Sequence, residues 1–278
     1  MTSHKKLTIK NACNSHLHII DPAFPNDGHA EAQKGTVQQY LTLAAELGLE
    51  RAVFVQAKPF GTDNTCLLDA IEKYGPDRCR GIAVVKNDET SDSELKRLND
   101  SGIRGLRFSV WNPKNAVVTF EDCAPLAARC ADMGWNMQLH MSSAQLAERA
   151  KAIAGLPGKV VIDHMGRMNP ELGVNDPAFP QLLKLIDKGN IWVKLSGSYL
   201  NTRTVAPWDD AAEVARALAK YAPERMLWGG DWPHVTEKVK PDEWALLNTI
   251  EQWFEDDKAK RLALVDNPCE VYGFQKTV

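Results

Sequence analysis

The sequence predicts a single α/β domain built as a (β/α)8 barrel, the TIM barrel, and three observations support this fold class. Short β-rich runs alternate with amphipathic helical stretches eight times, and their starts lie roughly 25 to 40 residues apart, the span of one βα unit. Strand candidates such as Val160-Val161-Ile162 are continuously apolar, as strands covered on both faces are. No G-x-G-x-x-G follows the first strand, which disfavours an open dinucleotide-binding sheet.

Eight strand candidates follow one another without an intervening linker, so we assign residues 1–278 to one domain. The strands are predicted over residues 12–18, 52–56, 80–85, 105–109, 135–140, 159–164, 191–195 and 226–231.

Helical periodicity between the strands ends where glycine follows. A helix over residues 37–47 is closed by Gly48, and one over residues 122–133 is closed by Gly134. The polar segment 26–34 and the proline-bearing segment 168–180 lie where βα loops would cover the mouth of a barrel, so we interpret both as candidate lids.

Composition limits the function classes. The chain has 278 residues, of which 44% are apolar and 25% charged, so it can bury a substantial core. A net charge of −3 gives no sign of a nucleic-acid or membrane surface, which favours a small-molecule partner. The six cysteines show no C-x-x-C spacing, and we expect reduced thiols without disulfides. The sequence leaves a homo-oligomer open.

Two further features bear on location. No run approaches the 18 or more apolar residues of a transmembrane span. Residues 1–6 precede an apolar stretch that is too short for a signal peptide, so the expected location is the cytoplasm.

Five of the seven histidines follow short apolar runs, as does one aspartate. Residues two apart on a strand share a face, so His16 and His18 can approach one small object together. A single histidine at a strand end is usually a hydrogen-bonded structural residue, and it is the repetition that indicates a site. Because the carboxyl ends of barrel strands face one mouth, these side chains are expected to converge there. They are His16, His18, His140, His164, His234 and Asp231.

These residue types allow two chemistries. Imidazole nitrogens with one carboxylate can hold a catalytic Zn²⁺ and leave a position for water. Without metal, histidines can polarise a carbonyl group while Asp231 deprotonates the attacking water.

Three motifs carry a family resemblance. They are NSHLH at residues 14–18, IDHMGR at 162–167 and WGGDWPH at 228–234. The sequence resembles the amidohydrolase superfamily, in its amidohydrolase-2 branch of lactone-acting enzymes, which includes 2-pyrone-4,6-dicarboxylate hydrolases and sulfomuconolactone hydrolases. The likeness runs almost end to end and includes segments 55–57, 61–64 and 104–108.

The resemblance implies a hydrolase of lactones, a barrel fold and a set of roles. His16, His18 and His164 would polarise or bind the lactone carbonyl, and Asp231 would be the general base. Arg107 matches an arginine that grips a substrate carboxylate, a role suited to the planar guanidinium, although a salt bridge across strand tops is the alternative. The residues expected to contact substrate are Arg107, Arg167, His234, Tyr199, Lys58 and Asn64.

The sequence also departs from the pyrone dicarboxylate hydrolases. His140 stands where those enzymes have a tyrosine, which favours a Zn²⁺ site of His16, His18, His140 and Asp231, with His164 left to bind substrate. Lys58 replaces a serine, and the arginines expected in segments 111–115 and 196–199 are missing. The expected substrate is therefore a small anionic lactone other than that pyrone.

Three rival functions remain open at this point. A lactone isomerase of the same branch would use the same aspartate to move a proton. A metal-dependent decarboxylase would use a similar metal site. A non-catalytic barrel would only capture an anion.

Overall fold

A computed structural model of the protein describes residues 5–276. Residues 1–4 and 277–278 lie outside the described residues. The prediction that residues 1–6 do not begin a signal peptide therefore concerns a segment that is mostly outside them. Eight parallel strands follow one another in chain order in one sheet, each hydrogen-bonded to the next. The predicted fold class is confirmed. The strands are β1 Cys13–Leu17, β2 Arg51–Val55, β3 Cys79–Ala83, β4 Ile103–Ser109, β5 Asn136–His140, β6 Lys159–Ile162, β7 Ile191–Leu195 and β8 Met226–Trp228.

Helices connect the strands and form the outer layer. They are α1 Val37–Leu47, α2 Thr65–Tyr74, α3 Asp92–Asp100, α4 Cys123–Cys130, α5 Ser143–Ala154, α6 Phe179–Ile186, α7 Asp209–Tyr221 and α8 Glu243–Trp253, followed by α9 Asp257–Arg261 and α10 Asn267–Tyr272.

Local sequence signals explain the helix ends. Thr36 and Gln39 form a capping box at the start of α1, and Gly48 ends that helix in the left-handed region at φ 82°. The helix predicted over residues 122–133 is α4 followed by a 3-10 turn, Ala131–Met133, and Gly134 ends it at φ 69°. Both glycine stops lie where the sequence predicts them.

The chain after β8 closes the barrel against β1. The backbone N–H of Asp231 donates to the carbonyl oxygen of His16 at 2.8 Å, and that of His18 donates to the carbonyl oxygen of Trp232 at 2.8 Å. Gly229 passes so close that a Cβ there would lie 2.7 Å from the Cβ of His16. The first and last strands are thus set in register by backbone contacts at the carboxyl-terminal end.

Five of the eight strands, β1, β2, β3, β6 and β8, end one to three residues earlier than predicted. The strand expected over residues 159–164 ends at Ile162, and that expected over 226–231 ends at Trp228. His164 and Asp231 have φ values of 50° and 64°, and a residue in the left-handed region cannot continue a strand. Both side chains therefore project from turns that follow their strands.

Apolar side chains fill the barrel interior and the layer between strands and helices. The interior cluster includes Val53, Ile82 and Val161, and the chain of α10 and the residues after it joins that cluster through Tyr272 and Phe274. Arg51, at the start of β2, donates to Sγ of Cys269 in α10. The C-terminal segment therefore covers the amino-terminal end of the barrel, opposite the histidines.

All six cysteines are buried, as free thiols. In the part of the chain that the structure describes, none of the helices combines the length and the apolar character needed to cross a membrane.

Candidate active site

Histidines in or just after β1, β5 and β6 meet an aspartate that follows β8. The ring centroid of His16 lies 4.5 Å from that of His164 and 5.1 Å from that of His18. The ring centroids of His140 and His164 are 5.2 Å apart. Oδ1 of Asp231 lies 3.5 Å from Nε2 of His16 and 3.6 Å from Nε2 of His18. The structure brings these five residues to one place.

Each of the four imidazoles is anchored through Nδ1, so that Nε2 is left for the site. Such second contacts fix the orientation and tautomer of a histidine. The pairs are His18 with the Val55 carbonyl oxygen, His140 with Ser109 Oγ and His164 with Ser196 Oγ, each at 2.9 Å, and His16 with Lys194 Nζ at 3.1 Å.

His18 has a defined tautomer. A carbonyl oxygen only accepts, so the Nδ1–H of His18 must donate to Val55. Burial lowers the pKa of His18 to about 3, so the ring is neutral near pH 7 and its Nε2 carries a lone pair. Nε2 of His18 therefore faces the site as a hydrogen-bond acceptor or a metal ligand.

The other three histidines are also neutral near pH 7. Burial lowers the pKa of His140 to about 3, with the nearby Arg107 adding to the effect. Burial also lowers the pKa values of His16 and His164 well below the usual range. Neutral imidazoles can bind a cation or form hydrogen bonds, and they do not repel one another.

Asp231 is the acidic member of the cluster. Burial raises the pKa of its carboxyl group to about 6, although the Tyr199 hydroxyl, which donates to Oδ2 at 2.6 Å, acts in the opposite direction. A carboxylate with a pKa near neutrality is well matched to proton transfer. Oδ1 remains directed at His16 and His18.

The backbone at the site adopts an uncommon conformation. His164, Arg167, Asp231 and His234 all have φ between 50° and 64°. Non-glycine residues in the left-handed region are uncommon and cost free energy of order 1–3 kcal/mol each, and they cluster at functional sites.

A buried polar network lies beneath the cluster. Lys194 in β7 is fully buried, and its Nζ donates to Oε1 of Gln138 at 2.6 Å. Nζ also lies 3.5 Å from Oδ1 of Asp163, which in turn is 3.3 Å from Nδ1 of His16. Burial lowers the pKa of Lys194 to about 8, and the carboxylate of Asp163 limits that effect. This network supports His16 from below.

Sequence reasoning missed Lys194 and Gln138 and passed over Asp163. The signal was present, because Lys194 interrupts the apolar strand Ile191–Leu195. A charged residue in a strand buried on both faces needs a partner. Although burial alone would raise the pKa of Asp163, Lys194 and His16 hold it well below its usual range, so Asp163 is that ionised partner.

A cavity of about 140 Å³ opens at the cluster, and basic side chains form part of its wall. A smaller cavity of about 50 Å³ shares Ala57, Lys58, Arg107 and Ser109 with it. Nε of Arg107 lies 3.5 Å from Oδ2 of Asp163, and Arg107 also lines both cavities. Its contact with a substrate carboxylate stays a prediction. The predicted site residues on the wall of the larger cavity are His18, Lys58, Arg107, His140, His164 and Asp231.

The other four residues predicted to contact substrate are not on this wall. The side-chain amide of Asn64 is engaged with backbone groups of Thr62 and Val84. The Arg167 guanidinium lies 4.1 Å from the ring centroid of Trp111. Tyr199 and His234 contact each other, and Tyr199 contacts Asp231.

The cluster could bind a metal ion. Donor atoms of His16, His164 and Asp231 all lie within 4.8 Å of one another. Nε2 of His16 and Nε2 of His140 are buried and have no hydrogen-bond partner among the described residues. Buried polar atoms without partners are costly, and imidazole nitrogens with a carboxylate suit Zn²⁺ or a similar ion. The residues present therefore fit a metal.

The chain forms a parallel eight-stranded barrel, and histidines and an aspartate meet at the carboxyl-terminal end of its strands. It is therefore a barrel protein with a candidate catalytic or metal site. The amidohydrolase family model matches residues 13–274, and the chain belongs to that family.

Curated relatives extend over almost the whole chain. A 4-sulfomuconolactone hydrolase of Rhizobium radiobacter is 33% identical, with 95% of this chain and 90% of the relative covered. A 2-pyrone-4,6-dicarboxylate hydrolase of Comamonas testosteroni is 32% identical, with coverages of 94% and 90%. A D-galactarolactone isomerase of Agrobacterium fabrum is 28% identical, with coverages of 93% and 90%.

A solved structure shares the architecture. An apo crystal structure from Agrobacterium tumefaciens superposes with a TM-score of 0.88 at 25% identity, covering 97% of this chain and 98% of the other.

Proposed function

We propose that this protein hydrolyses a small anionic lactone. The observation that carries the proposal is the position of Asp231 on the wall of a cavity that Arg107 and Lys58 also line, with Oδ1 within 3.6 Å of Nε2 of His16 and of His18. Relatives named as lactone hydrolases support the reaction class.

Asp231 acts as the general base. Its carboxylate takes one proton from water as the water oxygen adds to the ring carbonyl carbon. The ring C–O bond then breaks, and Asp231 returns the proton to the departing ring oxygen. The products are one carboxyl and one hydroxyl group on the same molecule, and Asp231 is ionised again.

The histidines divide into two roles. His18, with its lone pair at Nε2, accepts a hydrogen bond or binds a cation, so it does not donate to the carbonyl oxygen while neutral. His16 and His164 remain the candidates for polarising that oxygen in a metal-free reaction. The buried Nε2 of His16, which has no hydrogen-bond partner among the described residues, favours the version with a bound metal.

We infer that Zn²⁺ is held by His16, His164 and Asp231, with His18 and His140 lining the same cavity. This set includes His164, which the sequence predicted to bind substrate instead of the metal. A zinc ion in such a site lowers the pKa of a bound water to about 7 and polarises a carbonyl group.

Elemental analysis of the purified protein, with lactone assays before and after chelation, tests whether the metal is bound and needed for activity. A fully active preparation without stoichiometric metal would reject this version.

The substrate carries an anionic group beside the lactone ring. Arg107 and Lys58 line both cavities, so the smaller cavity offers a place for a carboxylate or sulfonate next to the reacting carbonyl. Arg107 is the stronger anchor because its side chain is almost fully buried.

A pH-indicator screen of muconolactones, pyrones and aldonolactones tests the activity. We expect hydrolysis of an anionic member, and we expect Asp231→Asn to lower kcat by about 10²- to 10⁴-fold. Asparagine tolerates the left-handed backbone at this position, so the variant tests the loss of the carboxylate and not a change in the backbone. No hydrolysis, with anion affinity unchanged in Asp231→Asn, would indicate a binding protein instead.

A lactone isomerase is the second candidate, because a D-galactarolactone isomerase is among the relatives. The same aspartate would then move a proton between ring positions. NMR of the product separates the two reactions, since an isomerase retains the ring and a hydrolase opens it.

A further inference from the structure

A series of hydrogen bonds runs from Asp231 to the protein surface. The Tyr199 hydroxyl donates to Oδ2 of Asp231 at 2.6 Å, and Nδ1 of His234 lies 3.0 Å from the same hydroxyl oxygen. Nε2 of His234 lies 2.7 Å from Oε1 of Glu243. Glu243 is the outermost member, with 22% of its side chain exposed.

The contacts fix the donor in the two inner hydrogen bonds of this series. The Tyr199 hydroxyl has a single hydrogen, and it lies on the bond to the Asp231 carboxylate. The Tyr199 oxygen can then only accept, so Nδ1–H of His234 donates to it, whereas the bond between Nε2 of His234 and Oε1 of Glu243 requires one more proton, on Nε2 or on the Glu243 carboxyl group. Each group is thus held by the next one outward.

The outermost member is itself fixed by secondary structure. Glu243 is the first residue of α8, and Asp242 caps that helix through the backbone N–H of Ala245 at 2.7 Å. A carboxylate in the first turn of a helix is favoured by the helix dipole. Glu243 therefore provides a firm anchor for His234, which is buried.

The inner end of the series distinguishes the two oxygens of Asp231. Oδ2 is held by Tyr199, whereas Oδ1 faces Nε2 of His16 and of His18. A partial rotation of the carboxylate would break the 2.6 Å bond and turn the other oxygen away from the two imidazoles. A hydrogen bond to an ionised group is among the stronger ones in a protein.

We propose that Tyr199, His234 and Glu243 are positioning residues that hold the Asp231 carboxylate so that only Oδ1 faces the reacting groups. This inference rests on the proposed role of Asp231 as general base. It gives Tyr199 and His234 a role other than the substrate contact that the sequence predicted, and it adds Glu243, which lies 12 residues beyond Asp231 in the chain and follows no strand.

The kinetic test compares Tyr199→Phe, Glu243→Ala and Glu243→Gln with the unaltered protein on the lactone found in the screen. We expect Tyr199→Phe to lower kcat by about 10- to 100-fold and to change KM by less than about 3-fold, because a hydrogen bond to a charged group is lost. Glu243→Ala should lower kcat by about 3- to 10-fold. Glu243→Gln keeps an acceptor oxygen and should restore most of the loss.

Glu255→Gln is the matched control, since Glu255 is exposed and lies outside the series. It should leave kcat and KM unchanged. A Tyr199→Phe variant with raised KM and unaltered kcat would overturn the inference, because Tyr199 would then contact substrate.

A structural measurement tests the inference independently of catalytic activity. Crystal structures of the unaltered protein and of Tyr199→Phe should show one orientation of the Asp231 carboxylate in the first and a rotated or mixed orientation in the second. An identical single orientation in both would overturn the inference. If no lactone is turned over by the unaltered protein, the proposed function fails, whereas the crystallographic comparison still decides the positioning role.

Discussion

Lys194, a single residue below the cavity, influences the protonation states of His16 and Asp163 next to it. Its buried ammonium group meets Gln138, His16 and Asp163 within 3.5 Å. An isolated charge at that depth would be very unfavourable, and it is the ionised Asp163 that makes it tolerable.

We expect Lys194→Met to lower the free energy of unfolding by about 3–5 kcal/mol, because Asp163 and Gln138 then lose a buried partner. Urea denaturation followed by circular dichroism measures the change. Lys184→Met, at an exposed position on α6, is the control and should shift the free energy by less than about 0.5 kcal/mol. Equal effects of the two substitutions would contradict the structural role of Lys194.

Arg107 makes a separate prediction about substrate charge. Arg107→Met removes the buried cation from the wall of both cavities, so KM for an anionic lactone should rise by about 10- to 100-fold. A neutral lactone of the same ring size should show little change in KM. A loss of the same size on both substrates would mean that Arg107 acts through its ion pair with Asp163.

At the scale of elements, the strands and the two glycine-ended helices could be predicted because apolar runs and helix stops are local signals. The positions of His164 and Asp231 past their strands could not, because the left-handed turns that carry them are held by other strands, β5 for the His164 turn and β1 for the Asp231 turn. The role of Glu243 could not be predicted from the sequence for a similar reason. It begins a helix, and only the folded chain brings it to His234.

The junction of β8 with β1 is the element-level feature with the sharpest steric requirement. We expect Gly229→Ala to destabilise the protein by about 1–3 kcal/mol or more and to lower activity, since the new Cβ would lie 2.7 Å from Cβ and 2.9 Å from the backbone nitrogen of His16. Thermal unfolding and the lactone assay measure the two effects.

Gly155→Ala is the control for that substitution, because its Cβ would come no closer than 3.5 Å to the neighbouring backbone. It should be neutral or slightly stabilising. A Gly229→Ala protein that matched it in stability and activity would show that the junction can move.

At the scale of the whole molecule, a metal at the barrel mouth would connect strands from distant parts of the chain. Because such an ion binds the folded state, chelation should lower the Tm by roughly 5–15 °C, corresponding to about 4 kcal/mol at a free-metal concentration a thousandfold above Kd. Differential scanning calorimetry before and after chelation, with Zn²⁺ added back, measures this change.

His16→Asn provides the matching variant, since it removes an imidazole that contributes to the candidate metal set. Its Tm should not respond to chelation or to added Zn²⁺. An unaltered protein whose Tm is equally indifferent would contradict the metal site.

The backbone bonds between Asp231 and β1 have a consequence for how such a protein changes over evolution. They fix the backbone of Asp231 to the strand that carries His16, whereas Gln33 and Asn115, which border the cavities, belong to connecting segments that carry none of the positioning residues. Exchanging the segments between relatives should therefore alter which ring compounds are accepted while the bond-breaking machinery persists, so that new specificities can arise without rebuilding the catalytic centre.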